Sequence, residues 1–188
     1  MHSTYHPHQH SVDSTWVKYC PRCGGKLEDK FIEFEQRVRK FCSGCSFIYY
    51  LNPKIVAGAV PRQEGRIWLL RRNIEPGYGR WTFPGGYVDL GERVPDAAIR
   101  ETREETLLDI RLDDLLNVYS YDHVGVVLVV YLATVMGGVA GRTSESQEVR
   151  AFELSEIPWE ELAFPSTREA LSDFVTLAPA TSRLTIDD

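Results

Sequence analysis

The sequence predicts an α/β layered domain preceded by a small zinc ribbon, and three observations support this fold class. Segments with the composition of β-strands are followed by segments with the composition of helices, which favours a layered domain. Four cysteines near the N-terminus form two close pairs, a pattern typical of a zinc ribbon. The length of 188 residues suits one ordinary domain with a small appendage.

The charge of the chain limits the partners it can bind. Asp and Glu number 27 against 21 Lys and Arg, so the net charge is -6 at pH 7. This charge argues against nonspecific binding to a nucleic-acid backbone, and an anionic substrate would need a local cation. The longest apolar run, residues 124–139, is too short and too interrupted by glycine to span a membrane, so we expect no membrane partner.

The two cysteine pairs are Cys20 with Cys23 and Cys42 with Cys45, and about 18 residues separate them. This spacing predicts a structural Zn²⁺ held by four thiolates in a ribbon over residues 16–52, whose folding depends on the metal. The alternative is four unligated core cysteines. The first residues lack the apolar stretch of a secretory leader, so we expect a reducing, cytoplasmic compartment.

The remaining elements are assigned in chain order. Residues 1–15 hold four of the five histidines without a periodic apolar face, which predicts a disordered tail. The period-two alternation over 31–38 predicts a ribbon strand. After the boundary at Asn52-Pro53, strands 55–60 and 66–70 flank a turn at 63–65, and 74–86 is rich in Gly and Pro, which indicates a loop.

The second half of the chain predicts two helices and two strands. Residues 94–108 have helix-forming composition, with Pro95 tolerated in the first turn. Segments 126–135 and 149–154 are strand-like. A capping box at Ser166-Thr167-Arg168-Glu169 predicts a last helix with an apolar inner face of Ala170, Leu171, Phe174 and Val175. The main domain is expected over 53–178, with a tail over 179–188.

Three glutamates on the first predicted helix carry the chemical information. Glu101, Glu104 and Glu105 stand at i, i+3 and i+4, so they share one helix face. Like charges at that spacing repel by roughly 3 kcal/mol per pair at an effective dielectric near 20. A solvated, charged helix face is one explanation. A site for Mg²⁺ or Mn²⁺ is the other, because these cations remove the repulsion and supply the positive charge that an acidic protein lacks.

The stretch from Gly86 to Leu108 resembles the Nudix box, G-x5-E-x7-R-E-U-x-E-E-x-G-U with U aliphatic. The matching residues are Gly86, Glu92, Arg100, Glu101, Glu104, Glu105 and Leu108. Thr102 in an aliphatic slot and Leu107 in place of the last glycine depart from it, which questions helix packing and the exit turn but not metal binding. The resemblance implies an αβα sandwich with a mixed sheet, and hydrolysis of a nucleoside diphosphate linked to another moiety.

A closer similarity extends from Cys20 to about Leu171. It is carried by the cysteine pairs and by the segments Tyr50-Leu51-Asn52-Pro53-Lys54, Asn73-Ile74-Glu75-Pro76, Trp81-Thr82-Phe83-Pro84-Gly85-Gly86-Tyr87 and Leu162-Ala163-Phe164. These segments resemble a group of Nudix enzymes that includes FAD and ADP-ribose pyrophosphatases of plant organelles. The NADH pyrophosphatases also join a zinc ribbon to a Nudix domain. Their Ser-Gln-Pro-Trp-Pro-Phe-Pro-x-Ser signature has no match at residues 120–125 of this chain. This mismatch disfavours NADH as the preferred substrate.

The resemblance implies roles for particular residues. Glu101, Glu104 and Glu105 would hold the Mg²⁺ or Mn²⁺ ions, with the Gly85 carbonyl as a further ligand. Arg100 would orient Glu104, and Gly86 would be structural. Glu92 would either reach the metal through water or orient the loop.

Other candidate residues retain two explanations each. The general base is Glu101 itself, or Glu145 or Glu148 in a loop that is otherwise an ordinary solvated turn. Arg71 and Arg72 either contact phosphate or end a solvated strand. The aromatic residues that could stack on adenine, or could simply be core, are Trp81, Tyr87 and Phe34. His123 is expected to be structural, and Asp89 a turn residue.

These observations lead to three functional hypotheses. The first is a Mg²⁺- or Mn²⁺-dependent pyrophosphatase that acts on a small nucleotide, ADP-ribose or FAD, and releases AMP. The second keeps the fold and takes NADH or an NAD-capped RNA end. The third is a module that senses a nucleotide, or binds a partner through its zinc ribbon, without catalysis. Resemblance to the family also suggests a homodimer.

Overall fold

The computed structural model describes residues 16–181, and side chains only to residue 177. The predicted N-terminal tail, 1–15, lies outside the described residues, as do residues 182–188 of the predicted C-terminal tail. The described chain forms two compact units. The smaller contains residues 16–53 and 121–125, and the larger contains residues 54–120 and 126–181.

The smaller unit is a three-stranded sheet with the order β1-β2-β3. Its strands are β1 (Leu27–Ile32), β2 (Arg37–Cys42) and β3 (Ile48–Tyr49). Both pairings are antiparallel, with Leu27 opposite Cys42 and Ile32 opposite Arg37. Its core consists of Val17, Cys20, Leu27 and Cys42. Because this apolar core is so small, a bound metal has much to contribute to its stability.

The single strand predicted over 31–38 is wrong. The chain turns at residues 33–36 between β1 and β2, with Gln36 in the left-handed region at φ 54°. Phe31 and Val38 are partners across this hairpin, so the alternating pattern continued through a turn. Phe34, at the tip of the hairpin, is 78% exposed. Its position in the alternating pattern therefore does not reflect burial in a core.

The larger unit is built on a seven-stranded mixed sheet. Its strands are β4 (Lys54–Gln63), β5 (Arg66–Arg72), β6 (Trp81–Thr82), β7 (Gly85–Tyr87), β8 (Leu108–Tyr121), β9 (Val126–Gly138) and β10 (Ser146–Phe152). The order is β10-β5-β4-β9-β8, with β6 beside β5 and β7 beside β4. The β4–β9 pair is parallel, and the pairs of β4 with β5 and β7 are antiparallel. The sheet is therefore mixed.

Helix α1 (Val94–Thr106) packs on the sheet through small residues. Ala97 and Ala98 are fully buried against Ala57 of β4, and their small side chains let the helix approach the strand closely. The helix ends two residues before the predicted end, because Leu107 takes the left-handed conformation at φ 63° and caps it. This is the position where the Nudix pattern has glycine.

Helix α2 (Pro165–Thr181) closes the larger unit. Ala170, Leu171 and Phe174 are buried as predicted, whereas Val175 is half-buried. The helix begins at Pro165, so Ser166 lies inside the first turn and is not the cap residue that the capping box predicted. The helix reaches Thr181, so residues 179–181 of the predicted tail are helical. No helix in the described part of the chain is long and apolar enough to cross a membrane.

Several strands differ from the sequence-based expectation. Strand β8 was not predicted, although Leu108 and Ile110 are buried at a period of two. The strand contains several aspartates, and aspartate is uncommon in strands, so its composition did not indicate one. Short strand β6 lies within the predicted loop 74–86, and β7 begins within it and ends at Tyr87. The strand predicted over 149–154 runs from Ser146 to Phe152, and Leu154 begins a 3₁₀ turn.

Candidate active site

Helix α1 presents the three glutamates to very different environments. Glu105 is only 4% exposed, the Glu101 side chain is 13% exposed and the Glu104 side chain is 59% exposed. One helix face therefore carries carboxylates that range from buried to solvated. Such a gradient suits a cation site at the rim of a domain, because the buried ligands are fixed while the outer one remains accessible.

Glu105 is a buried carboxylate that accepts a hydrogen bond from the backbone of β7. The backbone N–H of Gly85 donates to Glu105 Oε2 at 2.8 Å. Burial raises the pKa of Glu105 to about 8, the Gly85 N–H opposes that rise, and the negative charges of Glu101 and Glu145 add to it. Burial also raises the pKa of Glu101. Glu101 and Glu105 would gain most from a divalent cation, because its positive charge would compensate two carboxylate charges that burial has removed from water.

The glycines of β7 make room for these carboxylates. A Cβ at Gly86 would lie 2.5 and 2.6 Å from the two Glu101 carboxylate oxygens, and a Cβ at Gly85 would lie 2.8 Å from the Ala57 carbonyl oxygen. Any side chain at Gly86 would displace Glu101. The double glycine is therefore required by close approach of β7 to β4 on one side and to the helix carboxylate on the other.

Arg100 organises the outer part of the site. Its Nε and Nη2 donate to the two oxygens of Glu92 at 2.8 and 2.9 Å, and Nη1 donates to Glu101 at 2.7 Å and to Glu104 at 3.1 Å. The Arg100 hydrogen bonds, with a further one from the Asp89 N–H, lower the pKa of Glu92 to about 2. Both Glu92 oxygens are thus engaged by arginine, which favours an orienting role over water-mediated metal contact.

The two candidate loop bases occupy different environments. Glu145 is exposed, and its negative charge contributes to the raised pKa of both Glu101 and Glu105. Glu148 lies in β10 opposite Arg71, with its carboxylate 4.0 Å from Arg150 Nε. Glu145 is therefore among the charges that act most strongly on the helix carboxylates.

Arg71 and Arg72 hold the loop 73–80 through their Nε atoms. Arg71 Nε donates to the Gly79 carbonyl and Arg72 Nε to the Pro76 carbonyl, both at 2.7 Å. Arg72 is only 8% exposed; burial lowers its pKa, while the carboxylates of Glu105, Glu145 and Glu75 oppose that shift. Arg72 is thus a buried cation under the influence of the carboxylate cluster, and is not a solvated strand end.

The remaining candidate residues, two aromatic and two polar, lie in different environments. Trp81 is 3% exposed and packs edge-on against Phe152 at 5.0 Å, so it is a core residue. Tyr87 is 52% exposed, with Lys54 Nζ 4.9 Å from its ring centre. His123 is an exposed neighbour of Asp122, and Asp89 lies in the turn before α1, bonded through its backbone to Glu92.

The four cysteines form a separate cluster in the smaller unit. Their sulfur atoms all lie within 4.8 Å of one another, with Cys20 and Cys45 at 3.7 Å and Cys23 and Cys42 at 3.5 Å. Four sulfurs at the usual Zn–S distance of about 2.3 Å in a tetrahedron lie about 3.8 Å apart. The cluster fits a tetrahedral zinc, and none of the four is in a disulfide.

Asn73, in the larger unit, contacts the loop that carries Glu145, and the sequence patterns did not predict this contact. Asn73 donates hydrogen bonds to the carbonyls of Ser144 and Glu145 from its side-chain amide and its backbone N–H. The partners are 71 and 72 positions apart in sequence, so no local pattern could reveal the contact.

Comparison with known proteins agrees with both units. The NUDIX domain family model matches residues 52–174, and the zinc-ribbon model described as Nudix N-terminal matches residues 18–51. A crystal structure of a NUDIX hydrolase from Nitrosomonas europaea is 32% identical, with a TM-score of 0.82, and the match covers 87% of this chain and 93% of that one. The chain therefore belongs to the Nudix family, with the mixed-sheet Nudix fold and an N-terminal zinc ribbon.

Two relatives have names that describe an activity. An ADP-ribose pyrophosphatase from Methanocaldococcus jannaschii is 34% identical over 119 residues, covering 61% of this chain and 69% of that protein. An NAD-capped RNA hydrolase, NudC, from Vibrio atlanticus is 24% identical over 145 residues, covering 76% of this chain. This chain spans only 51% of the length of that second protein.

Proposed function

We propose that this protein is a divalent-metal-dependent pyrophosphatase that cleaves ADP-ribose, with FAD as the second substrate. The observation that carries the proposal is the pair of buried carboxylates, Glu101 and Glu105, packed against the double glycine of β7 in a cluster where carboxylates outnumber guanidinium groups. The similarity to an ADP-ribose pyrophosphatase supports the substrate.

In this proposal Glu101, Glu104 and Glu105 hold Mg²⁺ or Mn²⁺, with the Gly85 carbonyl as a further ligand. The bound cation would polarise the diphosphate and lower the pKa of a coordinated water. The water oxygen attacks one phosphorus, the bridging P–O bond breaks, and ADP-ribose plus water gives AMP and ribose 5-phosphate. Glu145 accepts the proton of the attacking water, since its carboxylate is exposed and influences the helix carboxylates.

The other residues would bind and orient. Arg100 fixes the directions of Glu101 and Glu104, and Glu92 fixes Arg100 in turn. Arg72 supplies a cation for a substrate phosphate beside the metal site, whereas Arg71 holds the neighbouring loop. Tyr87, in the strand of the double glycine, is an exposed aromatic side chain that can stack on a nucleobase.

A substrate panel tests this proposal. Purified protein is incubated with ADP-ribose, FAD, NADH and NAD-capped RNA in the presence of Mg²⁺ or Mn²⁺, and AMP release is measured. We expect ADP-ribose or FAD to have the highest kcat/KM. The similarity to NudC supports the second candidate, NADH or an NAD cap, and this candidate replaces the first if those substrates are preferred. AMP release from none of them would overturn the enzymatic proposal.

A paired substitution separates catalysis from nucleotide sensing. The double variant Glu104→Gln, Glu105→Gln should lose turnover, because neutral amides cannot hold the cation. A sensor would keep its nucleotide-linked response in this variant and would show no turnover even as wild type.

The remaining proposals concern zinc and assembly. Four clustered thiols support one structural Zn²⁺ per chain, to be measured by elemental analysis of protein purified without chelator. Membership of the Nudix family supports a homodimer, to be tested by light scattering over a range of concentrations.

A further inference from the structure

Two loops of the larger unit are joined next to the carboxylate cluster. Strand β5 ends at Arg72, and the next residue, Asn73, donates from its backbone N–H to the Glu145 carbonyl at 2.8 Å. Its side-chain Nδ2 donates to the Ser144 carbonyl at 3.0 Å. A single residue thus satisfies two successive carbonyls of the loop that carries the proposed base.

Hydrogen bonds within the Glu145 loop also hold its backbone in place. Thr143 Oγ1 accepts hydrogen bonds from the backbone N–H groups of Glu145 and Ser146, at 3.1 and 3.2 Å. Ser146 is 1% exposed, and its hydroxyl lies 3.1 Å from that of Thr143. Both backbone polar groups of Glu145 therefore have partners, which fixes the backbone while the side chain remains exposed.

This placement exposes Glu145 to charges of both signs. Burial is the main cause of the raised pKa of Glu101 and of Glu105, and the negative charge of Glu145 adds to both. The same charge acts favourably on the buried Arg72 guanidinium. Within the described part of the chain, no cation lies within ion-pair distance of the Glu145 carboxylate. Like charges move apart unless the backbone holds them, so the hydrogen bonds to this loop act against a repulsion that a divalent cation would remove.

We propose that Asn73 is a positioning residue that holds Glu145 in place for its role in hydrolysis. This inference rests on the proposed function, in which Glu145 accepts the proton of the attacking water. Asn73 does not touch the reacting atoms, and it acts through the two carbonyls of the Glu145 loop. Its contribution should therefore disappear when Glu145 can no longer accept a proton.

The test is a double-mutant cycle with Asn73→Ala and Glu145→Gln, assayed with ADP-ribose and Mg²⁺. A hydrogen bond of this kind is worth about 1 kcal/mol, which corresponds to about a fivefold fall in kcat. We expect Asn73→Ala to lower kcat by about that factor with little change in KM. In the Glu145→Gln background the same substitution should change kcat by less than about twofold.

Asn117→Ala is the matched control. Asn117 is also in the larger unit, and its Nδ2 donates to Asp173 at 3.1 Å, so its loss removes a hydrogen bond of similar length far along the sequence from the loop. We expect it to leave kcat unchanged. Asn73→Ser keeps a donor and should recover part of the activity. Asn73→Asp keeps the shape without the donor, and it replaces Asn73→Ala if that variant does not fold.

The outcomes distinguish this inference from the proposed function. Wild-type protein that releases no AMP overturns the proposed function itself. If Glu145→Gln keeps full activity, then Glu145 is not the general base and Asn73 has no positioning role. If Asn73→Ala matches Asn117→Ala, or if its loss of kcat persists undiminished in the Glu145→Gln background, then the inference alone is overturned and the pyrophosphatase stands.

Discussion

At the residue scale, the site depends on a few atoms brought closer than ordinary packing allows. Glu101 lies where a Cβ on Gly86 would stand, and Glu105 is buried and accepts a hydrogen bond from the Gly85 N–H. Burial makes the charged form of both carboxylates unfavourable. Added positive charge would offset this cost, which supports the proposal that they bind a metal.

Substituting Gly86 should remove activity with little loss of fold. In Gly86→Ala the new methyl group would collide with the Glu101 carboxylate and push it aside, and misplacing a catalytic group by about 1 Å can cost about a hundredfold in rate. We expect kcat to fall by about that factor. Gly137→Ala is the control, because its Cβ would meet only an Asp109 oxygen at an ordinary 3.8 Å. Equal activity of the two variants would contradict this account.

Glu105 gives the metal-free protein a characteristic pH dependence. Its pKa rises from 4.5 to about 8 on folding, so between these values the folded state keeps a proton that the unfolded chain has lost. The resulting stability is complete below pH 4.5 and is lost as pH rises through 8. We expect the Tm of chelator-treated protein to fall from pH 5 to pH 8.5, and added Mg²⁺ to restore it.

Two variants check this assignment by thermal denaturation. Glu105→Gln cannot ionise and should flatten the slope of Tm against pH. Glu160→Gln, at a side chain that is 93% exposed, should keep the wild-type slope. An unchanged slope in Glu105→Gln would show that other groups dominate.

At the element scale, turns and caps explain where the strands and helices end. Leu107 ends α1 in the left-handed conformation that the Nudix pattern gives to glycine, and Thr102, in the aliphatic slot, is fully buried with its hydroxyl bonded to the Ala98 carbonyl at 2.7 Å. Both departures are thus accommodated locally and leave the glutamate face intact. The β4–β5 hairpin shows a similar local tolerance, because Glu64 has φ 50° in a two-residue turn with Gly65.

The β4–β5 turn offers a stabilising substitution. Asn-Gly is the preferred pair for a two-residue turn with both φ angles positive, because Asn adopts the left-handed region more readily than Glu. We expect Glu64→Asn to raise the free energy of unfolding by about 0.5–1 kcal/mol, measured by urea denaturation. Glu64→Ala, without that preference, should give no gain. A destabilised Glu64→Asn would count against this account of the turn.

At the scale of the whole molecule, the chain combines two units that achieve stability differently. The larger unit buries a core on a seven-stranded sheet, whereas the smaller one has a core of four residues and a cluster of four thiols. So small a core cannot balance the entropy of folding alone, and structural zinc supplies about 10–16 kcal/mol of apparent binding free energy. Zinc should therefore decide whether the smaller unit folds.

Removing one thiolate tests this dependence. In Cys42→Ser, a fully buried ligand is lost, and we expect zinc content to fall from about one per chain towards zero. Backbone amides of residues 18–51 should lose their protection from hydrogen exchange. Ser43→Ala, at an exposed neighbouring position, should retain both zinc and protection. A Cys42→Ser protein with protected amides would show that the unit does not depend on the metal.

The sequence by itself determined the features that depend on spacing along the chain. The two cysteine pairs and the glutamates at i, i+3 and i+4 predicted the zinc ribbon and the carboxylate face, because short spacing fixes geometry within one turn or knuckle. The Nudix fold was implied by the resemblance of Gly86 to Leu108 to the Nudix box. The sequence patterns did not predict the hairpin across 33–36 or strand β8, because period-two alternation identifies neither a turn nor an edge strand rich in aspartate.

The tertiary structure alone decided how distant segments meet. It paired Glu92 with Arg100, buried Trp81, and placed Glu145 where its charge acts on Glu101 and Glu105 of α1. The Asn73 contact joins residues more than 70 positions apart. Burial and charge environment arise from packing of the whole domain, and the pKa of Glu105 follows from them, so no local pattern in the sequence could supply these facts.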